Sequence, residues 1–375
     1  MPDLKNTSRE IALDVAERMT KPRAEEDSAA DHIGAAIVHA VTEPWRPGAS
    51  ALAAARLAAA TRALPASIVA GAWSGLGALL FARDAVAHAT GGYDRLGRQG
   101  LDRIGQYAQD LITQRSRQPE PISRRDIDVI SGLAGVGRLL LAAGSDADGP
   151  LREILSFLVR AAYRVRLDLG MAHGVTGPLT LLALAHADGV RVDGQIDSVS
   201  DLARWLLRHR RTDGLWPASL PERPGPSQPA AVPGWCYGNA GVARALTLAG
   251  AVLADRQMTD DAVAALTILA APGTRVRPFA CSTLCHGRAG LLIVTCRAAV
   301  ETPHPALDTL ANQIAAEIIA DFDPAAIFGY RHTHADGRTE DSSTLLTGAA
   351  GVALALLQYA YPDQPLSWDR PLLTC

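Results

Sequence analysis

A short glycine motif recurs six times in this chain of 375 residues and constrains its fold more than any other feature. Each copy reads small-x-x-Gly and precedes an apolar run long enough for a helix. The copies are Ala72–Gly75, Gly132–Gly135, Gly174–Gly177, Gly238–Gly241, Gly287–Gly290 and Gly348–Gly351. Their second glycines are 42 to 64 residues apart, which leaves room for two helices and a loop per repeat. Repetition on this scale is typical of helical repeat folds.

Composition and periodicity favour helices throughout. Alanine and leucine supply most of the apolar mass, and aromatic residues make up only 5%. Segments between the motifs place apolar residues on one helical face, as in Ile154, Leu155, Leu158 and Ala161 and in Leu310, Ile314 and Ile318. We therefore predict an all-α chain, an α/α toroid of six hairpins with Gly-x-x-Gly motifs at the inner-helix starts. An open α-solenoid is the alternative, although solenoid repeats are usually shorter and more regular.

The organisation of the chain predicts one large domain. Residues 1–31 form a charged N-terminal segment without a hydrophobic signal core, and 32–375 form the toroid. Two apolar stretches, Ser67–Ala82 and Leu345–Tyr361, are shorter than a typical membrane span and contain glycines. They predict buried inner helices and no integral membrane segment. The net charge of −3 gives no indication of nucleic-acid binding.

The cysteines point to a metal site. There are five, an odd number, and none lies in the first 235 residues, which favours reduced thiols in the cytoplasm over disulfides. Cys236 and the pair Cys285-His286 each lie directly in front of a motif copy. Two thiolates and an imidazole suit zinc, and three protein ligands would leave a fourth position open. Cys281, four residues before Cys285, could instead close the site as a fourth ligand.

Other polar residues near the motifs are candidates for proton chemistry. His173 holds the same place in its repeat as His286, which predicts the same end of the toroid; a helix cap is the alternative. Asp128 could orient a histidine or manage a proton, or else cap a turn. Tyr237 could donate a hydrogen bond near the metal, or simply pack. His332 and His334 form a second possible ligand pair, but their polar surroundings favour a solvated loop.

A proline-rich segment, residues 217–233, runs directly towards Cys236. Its six prolines exclude a helix. We predict a loop near the active site. It is either a disordered insertion or a lip over a substrate channel.

With these residues in place, the chain resembles the lanthionine synthetase C family, the cyclases of lanthipeptide biosynthesis. The resemblance extends from about Ala72 to the end of the chain. The segments that carry it are Trp235–Gly238, Cys285–Gly287, Ala172–Gly174 and Asp128–Gly132. It implies an α/α toroid with one Zn²⁺ held by Cys236, Cys285 and His286, and it implies that His173, Asp128 and Tyr237 line the site.

The resemblance also implies an activity and its partners. In this family a cysteine thiol of a ribosomal precursor peptide adds to a dehydroalanine or dehydrobutyrine, which a dehydratase has made, and forms a thioether ring. His173 is then the candidate acid that protonates the resulting enolate, assisted by Asp128.

One departure from the family pattern bears on the activity. Family cyclases usually have an arginine a few residues upstream of the first cysteine ligand, whereas this chain has Ala231–Gly234 there. Arg288, beside His286, is a possible substitute. Two other functions stay open. One is a non-catalytic, zinc-containing module that binds the precursor peptide, and the other is a relative that adds free thiols such as glutathione to dehydrated residues.

Overall fold

The protein is helical wherever its structure is described. A computed structural model describes residues 3–22, 27–64, 71–90, 96–117, 122–144, 148–164, 168–221, 231–271, 273–274, 276, 278–334, 336–364, 366 and 368–375. These ranges contain fifteen α-helices and one two-stranded antiparallel sheet. The all-α prediction is confirmed. Across the same ranges, no helix combines the length and apolar character needed to cross a membrane.

In chain order, the helices are α1 (Leu4–Arg18), α2 (Ala29–Thr42), α3 (Ala49–Ala63), α4 (Gly75–Thr90), α5 (Leu96–Arg117), α6 (Arg124–Ile127), α7 (Leu133–Ala143), α8 (Asp148–Ala161), α9 (Thr176–Ala187), α10 (Gln195–Arg208), α11 (Asn239–Leu253), α12 (Arg256–Ile268), α13 (Arg288–Glu301), α14 (Pro305–Ala320) and α15 (Ala349–Ala360). The strands are β1 (Arg331–Thr333) and β2 (Thr339–Asp341), between α14 and α15.

The chain divides into two compact units. The first unit comprises Met1–Ser67, Phe81–Asp94 and Pro278–Trp368, and in it α15 packs against α1, α2 and α13. The second unit comprises Ile68–Leu80, Arg95–Arg277 and Asp369–Cys375, and in it α9 packs against α7, α10 and α11.

Motif copies two to six each begin a buried helix. The helices α7, α9, α11, α13 and α15 start one or two residues after the first glycine of their motif and are buried along most of their length. In contrast, α8, α10, α12 and α14 each bury one face. The apolar faces predicted around Ile154 and Leu310 are the buried ones. Buried and amphipathic helices therefore alternate as the repeats predict.

A backbone hydrogen bond closes the turn in front of four buried helices. In each, the N–H after the first motif glycine donates to the carbonyl six residues before that glycine. The pairs are Val175 to Asp168 (3.1 Å), Asn239 to Val232 (2.8 Å), Arg288 to Cys281 (3.3 Å) and Ala349 to Ser342 (2.9 Å). A Cβ on Gly174 or Gly238 would overlap the accepting carbonyl oxygen, so only glycine fits inside the turn.

The second motif glycine makes a close contact of its own. A Cβ at this position would lie well under 3.0 Å from the carbonyl oxygen three residues before the first glycine. The pairs are Gly135 with Val129, Gly177 with Met171, Gly241 with Trp235 and Gly351 with Leu345. Each buried helix therefore packs against its own preceding loop, backbone against backbone.

This contact corrects the position of the first motif copy. The sequence places it at Ala72–Gly75. The glycine whose Cβ would overlap the carbonyl oxygen six residues earlier is instead Gly77, and that carbonyl belongs to Gly71. The copy therefore runs from Ser74 to Gly77, and the predicted position is wrong by two residues. Both tetrapeptides fit small-x-x-Gly, and only the three-dimensional contact distinguishes them.

The proline-rich segment 217–233 is described only at its ends. Pro217 forms a β-bridge with Ala231, and the carbonyl of Ala218 accepts a hydrogen bond from Leu169 N–H at 3.1 Å. The ends therefore lie beside the loop that precedes α9. Residues 222–230, with Pro224, Pro226 and Pro229, lie outside the described residues, so the character of the loop itself stays a prediction.

Buried hydrogen bonds fix the C-terminal residues within the second unit. Trp235 Nε1 donates to the Leu372 carbonyl at 2.9 Å, and Arg244 Nε donates to the Thr374 carbonyl at 2.7 Å. Trp235 is 1% exposed and immediately precedes Cys236. The C-terminal residues therefore support the backbone in front of this cysteine.

We predict that Gly135→Ala destabilises the protein by about 1–3 kcal/mol, because the new Cβ would force the Val129 carbonyl and α7 apart. The matched control is Gly97→Ala near the start of α5, where a Cβ meets nothing within 4 Å. It should leave stability unchanged or raise it by up to about 1 kcal/mol, since alanine is the better helix former. Urea midpoints followed by circular dichroism measure both. Equal midpoints for the two variants would contradict the packing role of the motif glycine.

Candidate functional site

His173 and Asp128 form a hydrogen-bonded pair in the second unit. His173 Nδ1 lies 2.7 Å from Asp128 Oδ2, and Asp128 is 1% exposed. The other carboxylate oxygen of Asp128 accepts the Ser131 N–H at 2.7 Å. The hydrogen bond to Asp128 raises the pKa of His173, although burial opposes it. Because Nδ1 is engaged, Nε2 is the ring nitrogen left to exchange a proton with a ligand.

Tyr237 lies beside a second buried carboxylate, Asp168. The Tyr237 hydroxyl donates to Asp168, and burial together with this carboxylate raises the pKa of Tyr237 to about 12. Asp168 Oδ2 also lies 2.9 Å from Arg124 Nη1, whose side chain is 60% exposed. The Tyr237 and His173 ring centroids are 6.0 Å apart. The second unit therefore brings a cation, a phenol and an imidazole into one cluster.

The backbone aligns Cys236 with the loop that carries His173. Ala172 N–H donates to the Cys236 carbonyl at 3.1 Å, and both residues lie two positions before their first motif glycine. A Cβ on Gly170 would lie 2.5 Å from the Cys236 carbonyl oxygen and 2.7 Å from the Tyr237 ring, so a glycine allows this approach. Cys236 itself is 5% exposed.

The first unit repeats this alignment around Cys285. Cys285 N–H donates to the Leu346 carbonyl at 2.8 Å, again between residues two positions before a first motif glycine. One position further, His286 precedes its glycine as His173 and Tyr237 precede theirs. Within each unit, a hydrogen bond therefore joins two of the turns in front of buried helices at the same position of the repeat. In each unit a cysteine at that position is followed by a polar ring, Tyr237 or His286.

A group of three possible ligands lies within the first unit. The ligand atoms of Cys281, His286 and His332 are all within 4.8 Å of one another. Cys281 is 6% exposed and His332 is 7% exposed, whereas His286 is open to solvent. Burial raises the pKa of the Cys281 thiol, but hydrogen bonds from His286 and Thr283 outweigh it and bring this pKa to about 7.

The structure corrects the prediction for His332. This residue lies on β1 opposite Glu340 of β2, and its ring centroid is 5.1 Å from that of His286. The solvated loop expected for it is wrong, because three-residue strands are too short to show a strand pattern in sequence. His334 is more exposed and pairs with Glu340 at 3.0 Å.

The structure pairs Arg288, the suggested substitute cation, with two carboxylates. Its Nε lies 2.7 Å from Glu317 Oε2, and its Nη1 lies 3.0 Å from Asp321 Oδ2. As the first residue of α13, Arg288 faces α14, and both carboxylates engage its guanidinium. Two carboxylates therefore offset its charge, and its side chain is 21% exposed, which disfavours Arg288 as the replacement for the upstream arginine.

Sequence reasoning missed Asp168 and Arg124. Asp168 lies six residues before its first motif glycine, and Cys281 lies six residues before its own. Both carbonyls accept the hydrogen bond that closes the turn, so this position belongs to the repeat and was visible in the sequence. For Arg124 the sequence gives no signal, because its partner Asp168 is 44 residues away.

The donor chemistry of these cysteines and histidines suits a metal ion. Thiolate sulfur and imidazole nitrogen are preferred ligands of zinc. Among the described residues, cysteine and histidine groups are placed where they could bind a metal. The three ligands in the first unit alone are enough for a zinc site with one open position.

Comparisons with known proteins agree with this arrangement. A family model described as lanthionine synthetase C-like protein matches residues 45–373. Among solved structures, nisin cyclase matches with a TM-score of 0.74 and 17% identity, covering 100% of this chain and 98% of that one. No curated protein matches the chain. The structural likeness shows the fold, so the predicted α/α toroid is confirmed.

We predict that Asp128→Asn lowers the pKa of His173, because the carboxylate that raises it is lost while the opposing burial remains. The raised pKa means that the pair stabilises the fold at low pH. This contribution disappears as the pH rises through the native pKa. NMR titration of the His173 ring measures the shift, with Asp197→Asn on the exposed face of α10 as the control. An unchanged His173 titration in Asp128→Asn would contradict the pairing.

Proposed function

The chain belongs to the lanthionine synthetase C-like family, and we propose on that basis that it is a zinc-dependent lanthipeptide cyclase. Its substrate is a dehydrated ribosomal precursor peptide. A cysteine thiol of this peptide adds to dehydroalanine or dehydrobutyrine and forms a thioether ring. The observation that carries the proposal is the His173–Asp128 pair, which lies in register with the backbone of Cys236.

Cys236, Cys285 and His286 are the proposed ligands of one zinc ion. The two cysteines hold the same repeat position in their respective units, and His286 follows the second of them. Two thiolates balance the charge of Zn²⁺, and three protein ligands leave one position open. Bound zinc would lower the pKa of a substrate thiol so that it is a thiolate at neutral pH.

His173 is the proposed acid of the reaction. When the substrate thiolate forms its bond to the β-carbon, the alkene electron pair moves to the carbonyl and gives an enolate. The enolate must then take a proton at the α-carbon. The raised pKa of His173 keeps that proton available near neutral pH, and Asp128 fixes the ring so that Nε2 faces the ligand.

Arg124 is the proposed cation for the enolate oxygen. It belongs to the cluster of Asp168, Tyr237 and His173, and its side chain is 60% exposed and so accessible to an incoming peptide. A positive group beside a developing negative oxygen stabilises the transition state more than the ground state. Arg124 would thus fill the role left vacant by the missing arginine upstream of Cys236.

The chemistry implies partners and a compartment. Dehydroalanine and dehydrobutyrine arise by loss of water from serine and threonine, so a dehydratase must supply the substrate. The five cysteines, all within the described residues, form no disulfide with one another. A site that depends on reduced thiols suits the cytoplasm, which stays the predicted compartment.

Thiol counting tests the function. The zinc-loaded protein is incubated with a dehydrated precursor, and the peptide is then analysed by mass spectrometry before and after alkylation. We expect the number of alkylated thiols to fall while the mass of the unalkylated peptide stays the same. His173→Asn should slow this by about 10²–10⁴-fold and keep its metal, because it removes only the proton donor. The control is His304→Asn at the N-cap of α14, which should match wild type.

The same experiment separates the alternatives. Peptide that binds but keeps all its thiols indicates the non-catalytic module. A gain in peptide mass only when glutathione is added indicates addition of free thiols. Either outcome would rule out the cyclase.

We predict that Arg124→Gln lowers kcat by about 10²-fold with little change in KM, since the enolate charge exists only after binding. Its neighbour Arg125 is also exposed on α6, so Arg125→Gln controls for the loss of one positive charge there. Initial rates of ring formation over a range of peptide concentrations give both constants. Parallel losses in the two variants would mean that only general electrostatic attraction is involved.

A further inference from the structure

The first unit contains a ligand group that the proposed mechanism does not fully use. Of Cys281, His286 and His332, only His286 belongs to the proposed catalytic zinc site. Their ligand atoms nevertheless lie within 4.8 Å of one another. This proximity joins residues from the turn before α13 and from a separate hairpin.

The repeat turn and the hairpin both position this group. The Cys281 carbonyl accepts the hydrogen bond that closes the turn before α13, so the residue is fixed relative to His286. The thiol of Cys281 also hydrogen-bonds His286. Pairing of β1 with β2 buries His332, and its ring meets the edge of the His286 ring. Backbone bonds therefore hold two of the three side chains in place before any ligand arrives.

The buried His332 ring has an unsatisfied polar atom. Its Nδ1 has no hydrogen-bond partner among the described residues, although the residue is only 7% exposed. A buried polar atom without a partner costs free energy, which a bound ligand can recover. This observation is independent of the distances and supports a ligand beside His332.

The donor set identifies the class of ligand. Thiolate sulfur and imidazole nitrogen are both zinc ligands, so one thiolate and two imidazoles can hold Zn²⁺ with a fourth position open. Ligand atoms around a tetrahedral zinc are about 3.5 Å apart, so closure from within 4.8 Å requires shifts of about 1 Å. The exposed His286 gives an ion a route from solvent.

We propose that Cys281, His286 and His332 form a second binding position for zinc or a similar divalent metal, contained in the first unit. That this position shares His286 with the catalytic zinc rests on the proposed function; the position itself does not. Because only one ion can use the shared imidazole in this way, the two positions are alternatives and total occupancy stays at one metal. The second position would hold the ion when Cys236 and Cys285 do not.

Metal binding without the two catalytic thiolates tests the proposal. In Cys236→Ser/Cys285→Ser, we expect one equivalent of Co²⁺, with a visible spectrum that shows a single thiolate ligand. Adding His332→Ala should weaken Co²⁺ binding by at least about 10–100-fold. Losing a residue that only supports a metal ligand already costs this much. His334→Ala in the same background is the matched control and should bind as its parent does. Equal affinities in these two triple variants would overturn the proposal.

A second measurement follows Cys281 directly. In Cys236→Ser/Cys285→Ser, added Zn²⁺ should protect Cys281 from alkylation, as read by mass spectrometry of the Cys281 peptide. His332→Ala should reduce this protection, whereas His334→Ala should not. Protection that is absent, or equal in both variants, contradicts the second position. Neither measurement uses ring formation, so a protein that binds metal here and fails to cyclise a peptide would refute only the proposed function.

Discussion

A backbone turn that closes over a glycine underlies the buried helices of this protein. The N–H after the glycine reaches the carbonyl six residues earlier, so the loop returns on itself as the helix begins. No Cβ fits inside this turn, and a second glycine lets the helix lie directly on the loop. The fixed geometry places three side-chain positions, six, two and one residues before the glycine, at the start of a buried helix. Asp168 and Cys281 occupy the first of these positions, Cys236 and Cys285 the second, and His173, Tyr237 and His286 the third.

The sequence predicts the parts of the fold that depend on local geometry. Helix starts at residues 133, 239 and 349 follow from the motif, because two glycines and an apolar run are local requirements. The register at Gly77 was not predictable, since two overlapping tetrapeptides satisfy the same pattern. For the site, Cys236, Cys285 and His286 could be selected because they directly precede motifs, whereas the Arg124–Asp168 pair depends on a contact across 44 residues.

His332 shows a different limit of sequence reasoning. Its polar neighbours favour solvent, yet pairing of β1 with β2 turns one side of a three-residue strand inward. Burial then comes from tertiary context rather than from any pattern in the strand. For Cys281 the sequence shows only its spacing from Cys285, whereas the turn reaches six residues back from the motif glycine and includes Cys281. The missing information was the strand pairing for His332 and the reach of the turn for Cys281, not the chemistry of either residue.

The two proposed metal positions differ in charge, and the difference bears on reactivity. Cys236, Cys285 and His286 supply two negative charges, which balance Zn²⁺, so a substrate thiolate in the open position stays electron-rich. Cys281, His286 and His332 supply one, and the remaining positive charge would hold a thiolate more tightly and make it a poorer nucleophile. The first set therefore suits bond formation and the second suits retention of the ion. Sharing His286 prevents simultaneous occupation, so an ion would lie in the reactive set when Cys236 and Cys285 bind it and in the retaining set when they do not.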